Sequence, residues 1–119
     1  MKDLQINNIN LKFERDLNKF LPIHEKNKKN PYLVIDRDFY EKYMHEFEIV
    51  YDVYIKSLKE IYFELSKDNI TDFRYATLKA LEGNIIKCID SIENLICECH
   101  IMIIFKMFPE TSPYKKLHL

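Results

Sequence analysis

Residues 38–66 read DFYEKYMHEFEIVYDVYIKSLKEIYFELS, and their spacing decides the fold. Tyr40, Met44, Phe47, Tyr51, Tyr54, Leu58, Ile61 and Leu65 follow one another at alternating steps of four and three. An α-helix turns once in about 3.6 residues, so this spacing lays one apolar stripe along one side of a rod. A strand would need alternate residues to be apolar instead. The stripe breaks at Ser66, Lys67, Asp68 and Asn69, residues that favour turns.

Beyond the turn the same rhythm resumes. Leu78, Leu81, Ile85, Cys88, Ile92, Leu95, Cys99 and Met102 keep the alternation. Thr71 is placed to cap this second rod, since a threonine oxygen can accept an orphan amide of the first turn. The two stripes predict a long antiparallel helical hairpin, 38–66 against 71–108. Asp38 with Glu41 has the form of a capping box and predicts the start of the first rod. Pro109 predicts the end of the second. A further row, Ile86, Ile89, Ile96 and Ile103, runs beside the main stripe of the second rod. Two apolar rows imply contact on two sides, so this rod is expected at the centre of the structure.

Upstream, Ile6, Ile9, Phe13, Leu17 and Phe20 also step by three and four, which predicts a shorter helix over 5–21 stopped by Pro22. The polar, basic residues 26–31 read as an exposed loop, and 32–35 as an apolar lead-in to the hairpin. Residues 109–119 form a polar tail with Lys115 and Lys116. The chain is thus expected to be all-α and one domain over 1–119. It comprises an N-terminal helix and loop (1–35), the hairpin (36–108) and the tail. The expected assembly is a three-helix bundle, or a dimeric bundle of four-helix type.

Composition agrees. Of 119 residues 47% are hydrophobic and 31% charged, with a single glycine; β-proteins need more glycine for their tight turns. Gly83 falls in mid-rod at a cost of about 1 kcal/mol relative to alanine, marking either a close approach or a tolerated residue. The net charge of −1 gives no general attraction to nucleic acid. Its distribution is uneven: residues 1–30 hold seven Lys/Arg against four Asp/Glu, and residues 36–66 hold eight acidic groups against four basic. The most apolar stretch, 95–108, is too short for a bilayer and contains Glu98, His100 and Lys106. No secretory leader opens the chain, and an odd set of cysteines, Cys88, Cys97 and Cys99, fits a reducing cytoplasm better than a disulfide framework.

No catalytic motif is present. Cys97, Cys99 and His100 lie too close along one helix to align as a thiol–imidazole pair, and one glycine cannot make a phosphate loop. Glu41, His45, Glu48 and Asp52 share a helical face, and Glu93, Cys97 and His100 share another. In an antiparallel hairpin these two rows lie at the same end, so Glu41, His45, Cys97 and His100 form a candidate metal set; a solvated polar face is the plainer reading. The acidic row Asp36, Asp38, Glu41, Glu46, Glu48 and Asp52 has the charge of a nucleic-acid backbone, but Arg37 and Lys42 interrupt it.

What remains is a non-catalytic, protein-binding helical module that acts as an adaptor, regulator or inhibitor of a larger protein. The lysine-, isoleucine- and asparagine-rich composition resembles translation from an AT-rich genome and bears on source, not mechanism; a phage or mobile element is the expected origin of such a module. No cofactor is expected. The partner is another protein, or a second copy in a homodimer, and neither nucleic acid nor membrane. Its candidate contacts are Tyr43 and Tyr62, which lie off the main stripe, and Ile101, Ile104, Phe105 and Phe108 on the apolar overhang of the second rod.

Overall fold

In a computed structural model the described residues, 3–29 and 36–108, form three helices. They are α1 (Asp3–Lys29), α2 (Arg37–Leu65) and α3 (Asp72–Met107). Residues 32–35 and the tail 109–119 lie outside the described residues. The rods make an elongated bundle of 67 × 22 × 19 Å, α2 and α3 packing most extensively and α1 lying chiefly on α2.

The stripe on α2 behaves as its spacing requires, with one refinement. Tyr40, Phe47, Tyr54 and Ile61 are wholly buried, and opposite them on α3 lie Leu78, Ile85, Ile92 and Cys99, equally enclosed. The intervening residues Met44, Tyr51, Leu58 and Leu65 are only partly covered. Burial instead extends to the other side of α2, through Tyr43, Val50 and Ser57. That side faces α1. The central helix is therefore α2, which has a neighbour on each flank, and not α3 as its two apolar rows suggest.

α1 is longer than its sequence predicts. It runs through Pro22 and ends at Lys29, so Lys26, Lys28 and Lys29 form its last turn and not a loop. A proline inside a helix removes one hydrogen bond and costs about 3 kcal/mol. Two side chains beyond the reach of that logic offset it. Phe20 is fully buried, and its ring meets Phe39, Tyr40, Tyr43 and Phe47 at centroid distances of 5.2–6.0 Å. His24, one turn later, is 1% exposed and stacks on Phe20 at 4.9 Å. Burying one such aromatic is worth about 2–3 kcal/mol, and each aromatic pair adds up to about 1 kcal/mol more. Pro22 itself faces solvent, so its ring disturbs no packing. Cationic side chains at the C-terminus also suit the helix dipole.

The caps show one agreement and one correction. Thr71 accepts from the Arg74 amide at 3.1 Å and caps α3. At α2 the cap is Asp36, two residues ahead of the expected Asp38, accepting from the Phe39 amide at 3.2 Å. Glu41 does not reach back as a capping box requires, because Arg37 holds it at 2.6 Å. α3 stops at Phe108, whose backbone (φ −129°, ψ 75°) leaves the helical region, in line with the bias of a residue before a proline. Arg74 and Glu64, 2.8 Å apart, tie the two rods beside the turn.

Gly83 is exposed, and a Cβ there would meet nothing within 4 Å, so no close approach explains it. Gly83→Ala should raise stability by about 1 kcal/mol, read as a higher urea midpoint with an unchanged m-value.

Candidate functional site

Besides the exposed rings of Phe63, Phe73 and Tyr75 beside the turn, three places on this bundle gather polar chemistry or uncovered apolar surface. Two lie on opposite sides of the α2–α3 hairpin, and the third is the free end of α3.

On the α1 side is a buried hydrogen-bonded chain that the sequence reading passed over. His24 Nε2 lies 2.9 Å from Glu98 on α3, and Nδ1 lies 2.9 Å from the Tyr40 hydroxyl on α2. Asn27 donates to the same hydroxyl at 3.1 Å. An ionised carboxylate only accepts, so Nε2 carries the proton toward Glu98. Nδ1 then accepts from Tyr40, whose oxygen accepts from Asn27. The chain is complete with neutral imidazole. Burial lowers the His24 pKa below its ordinary value, and this outweighs the opposing pull of Glu98. With Tyr40 wholly enclosed no substrate can reach it. These residues clip α1 to both rods of the hairpin. Sequence could have hinted at this, because His24 sits four residues after Phe20 on the apolar row of α1. The same side holds a cleft between α1 and α3, floored by Phe13, Tyr54 and Ile85. Tyr54 donates to Asn10 at its edge, and burial, with the Cys88 thiol beside it, raises the pKa of that hydroxyl.

The opposite side of the hairpin carries a groove lined by Glu48, Tyr51, Asp52, Glu93, Ile96, Cys97 and His100. Tyr51 and Ile96 are half-buried and form its floor, while the polar residues stand exposed along its edges. Two of the four expected metal ligands, Cys97 and His100, are here. The other two are not. Glu41 is engaged by Arg37, and His45 stands exposed one step farther round α2 than the seam residue Met44. Among the described residues no group of three or more His, Cys, Asp or Glu is placed to hold a metal ion. The metal set therefore does not assemble. The acidic row divides as well: Glu46 turns toward α1, where Lys12 binds it at 2.6 Å, whereas Glu48 and Asp52 edge the groove.

The expected contact residues also divide. Tyr43 is no surface residue, being 6% exposed and packed among Phe20, Phe39 and Phe47 under α1. Tyr62 is half exposed near the turn, and Glu82 accepts from its hydroxyl, which raises that hydroxyl's pKa. On the overhang Met102 and Ile103 are buried and Phe105 is half-buried. Ile101, Ile104 and Phe108 remain 42–49% exposed, at helical spacing on the outward face of α3. No helix among the described residues is long and apolar enough to cross a membrane.

His24 gives the bundle a pH dependence. Its pKa is depressed on folding, so the unfolded chain binds the proton more readily. The stability it contributes is complete above about pH 6.5 and is lost as pH falls through the folded value. His24→Gln should cost about 1–3 kcal/mol at neutral pH. The gap in thermal midpoint between wild type and variant should narrow toward pH 5, and a gap constant with pH would refute the assignment.

The thiols differ by burial. Burial pushes Cys99 up to about 12, while Cys97 is exposed. Brief iodoacetamide treatment at about pH 8 should label Cys97 first and leave Cys99 untouched until the protein unfolds, as peptide mapping would show.

No protein-family model, curated protein or solved structure matches this chain.

Proposed function

We propose that the chain is a non-catalytic, protein-binding helical module, a small adaptor, regulator or inhibitor that engages a larger protein through one side of its hairpin. One observation carries this reading. The α2–α3 pair has apolar rows on both sides, and α1 covers only one. On the other side Met44, Tyr51, Ile55 and Leu58 of α2 stay partly uncovered beside Ile96 of α3, and Ile86 is 39% exposed. A groove between two packed helices suits a third helix. The outward row of Ile101, Ile104 and Phe108 lengthens the apolar surface at one end. The buried polar chain at His24 favours a structural role over catalysis, because every polar group in it is satisfied internally. Three free cysteines are consistent with a reducing compartment such as the cytoplasm.

A second reading uses the same face. Two copies could pair there, giving a homodimeric bundle of four-helix type. Sedimentation equilibrium separates the two readings, since a monomer at tens of micromolar excludes the second.

The test is capture of a partner from the native cytosol by wild type and by Ile86→Glu, with circular dichroism confirming equal helicity. Wild type should retain a partner that the variant loses, because a charge in a desolvated contact costs roughly 2 kcal/mol or more. Retention of nothing, or of the same protein by both, would overturn the reading.

A further inference from the structure

Resting on the reading of a protein-binding module, we propose that the groove between Tyr51 and Ile96 receives a cationic amphipathic helix of the partner, whose apolar row lies on those two residues and whose lysines or arginines meet Glu48, Asp52 and Glu93. The charge pattern points to this partner chemistry. Several carboxylates elsewhere along the bundle are matched within the chain: Asp16 and Glu46 by Lys12, Glu41 by Arg37, Glu64 by Arg74, and Glu82 by Lys79. Glu48, Asp52 and Glu93 have no ion-pair partner among the described residues, and they stand on both banks of one apolar floor. Like charges gathered around a half-covered hydrophobic strip cost stability and are relieved by an occupant of opposite sign.

The hairpin already holds a helix of this kind on its other side. α1 lays Ile9, Phe13 and Phe20 against α2 and extends Lys12 from the same turn to Glu46, at 2.6 Å. Glu46 and Glu48 lie on opposite flanks of α2, so a partner lysine reaching Glu48 would repeat the Lys12 contact across the hairpin. From Met44 to Leu58 the uncovered row rises about 21 Å, the length of about 14 helical residues. The same carboxylates disfavour a second copy, since two chains stacked about the centre of this groove would set Glu48, Asp52 and Glu93 against their own counterparts.

The experiment measures fluorescence anisotropy of the full chain with a labelled synthetic helix of leucine and lysine, leucines at steps of three and four. A matching peptide with glutamate in place of lysine is the comparison. The lysine peptide should bind and the glutamate peptide should not, with affinity falling as salt rises from about 50 to 200 mM. Reversal of the three carboxylates (Glu48→Lys, Asp52→Lys, Glu93→Lys) should weaken binding at least about tenfold. Reversal of Glu14, Asp68 and Asp72, away from the groove, should change it little. Tyr51→Ala should weaken binding while preserving its salt dependence, which separates the apolar floor from simple attraction of a polycation. Equal binding of both peptides, or undiminished binding by the groove variant, would overturn the proposal. So would a dimer that dissociates as the peptide binds, or tighter binding after removal of residues 109–119, which would assign the groove to a second copy or to the chain's own basic tail. If Ile86→Glu loses a captured partner but the lysine peptide never binds, this inference fails and the module reading stands. If wild type captures nothing, the module reading itself fails.

Discussion

The structure depends on α2 being enclosed along one and a half sides. Its fully buried row, Tyr40, Phe47, Tyr54 and Ile61, zips onto α3, and its flanking row, Tyr43, Val50 and Ser57, is closed by α1. Aromatic rings make this possible. Phe20 alone touches four rings of α2, so α1 is anchored at one place by a cluster that no aliphatic side chain could build with so few residues. The anchor sits at the end of the hairpin opposite the turn, where α2 begins and α3 nears its end. The open groove of the hairpin follows from where α1 lies and what it leaves bare.

The helices were legible because their signal is long and periodic. Eight seam residues at unbroken spacing on each rod leave no competing strand pattern, and Thr71 announced the second start by the chemistry of one hydroxyl. Boundaries resting on single residues were harder. Pro22 reads as a stop because a local rule weighs it alone, but the helix is held on both sides of it by Phe20 and His24, whose partners on α2 and α3 lie 16–74 residues away in sequence. Asp38 reads as a cap, yet Asp36 has the same side chain two positions earlier. The choice between them depends on where the preceding chain turns, which no local pattern records.

The site was legible in part for the same reason. Helical spacing correctly gathered Glu93, Cys97 and His100 on one face and Glu48 with Asp52 on another, and the hairpin brought the two together. It could not say that Arg37 would engage Glu41, or that His45 would stand exposed outside the groove, because side-chain pairing and the facing of a helix are set by packing and not by the order of residues. Tyr43 failed as a surface residue on the same ground. Being off the main seam means exposure on a helix with one neighbour, and burial on a helix with two. His24 was invisible to motif reading because its partners, Tyr40 and Glu98, come from the other two helices.

These two sides of one hairpin answer the same physical problem differently. Toward α1 the polar groups close among themselves: Lys12 with Asp16 and Glu46, Tyr54 with Asn10, and Asn27, Tyr40, His24 and Glu98 in one chain. That closure makes the α1 contact part of the fold, since breaking any link would leave a group dehydrated and unpaired. At the groove Glu48, Asp52 and Glu93 stand exposed with no ion-pair partner among the described residues, around an apolar floor already half dehydrated. Such a side loses little by staying open and gains by being covered, provided the cover brings positive charge. On the proposed reading the asymmetry would also resist mistaken pairing, since an anionic helix would meet its own sign there. A single hairpin thus holds one helix as part of its fold through internally paired polar groups, and on the proposed reading offers its other side to a partner chosen by charge.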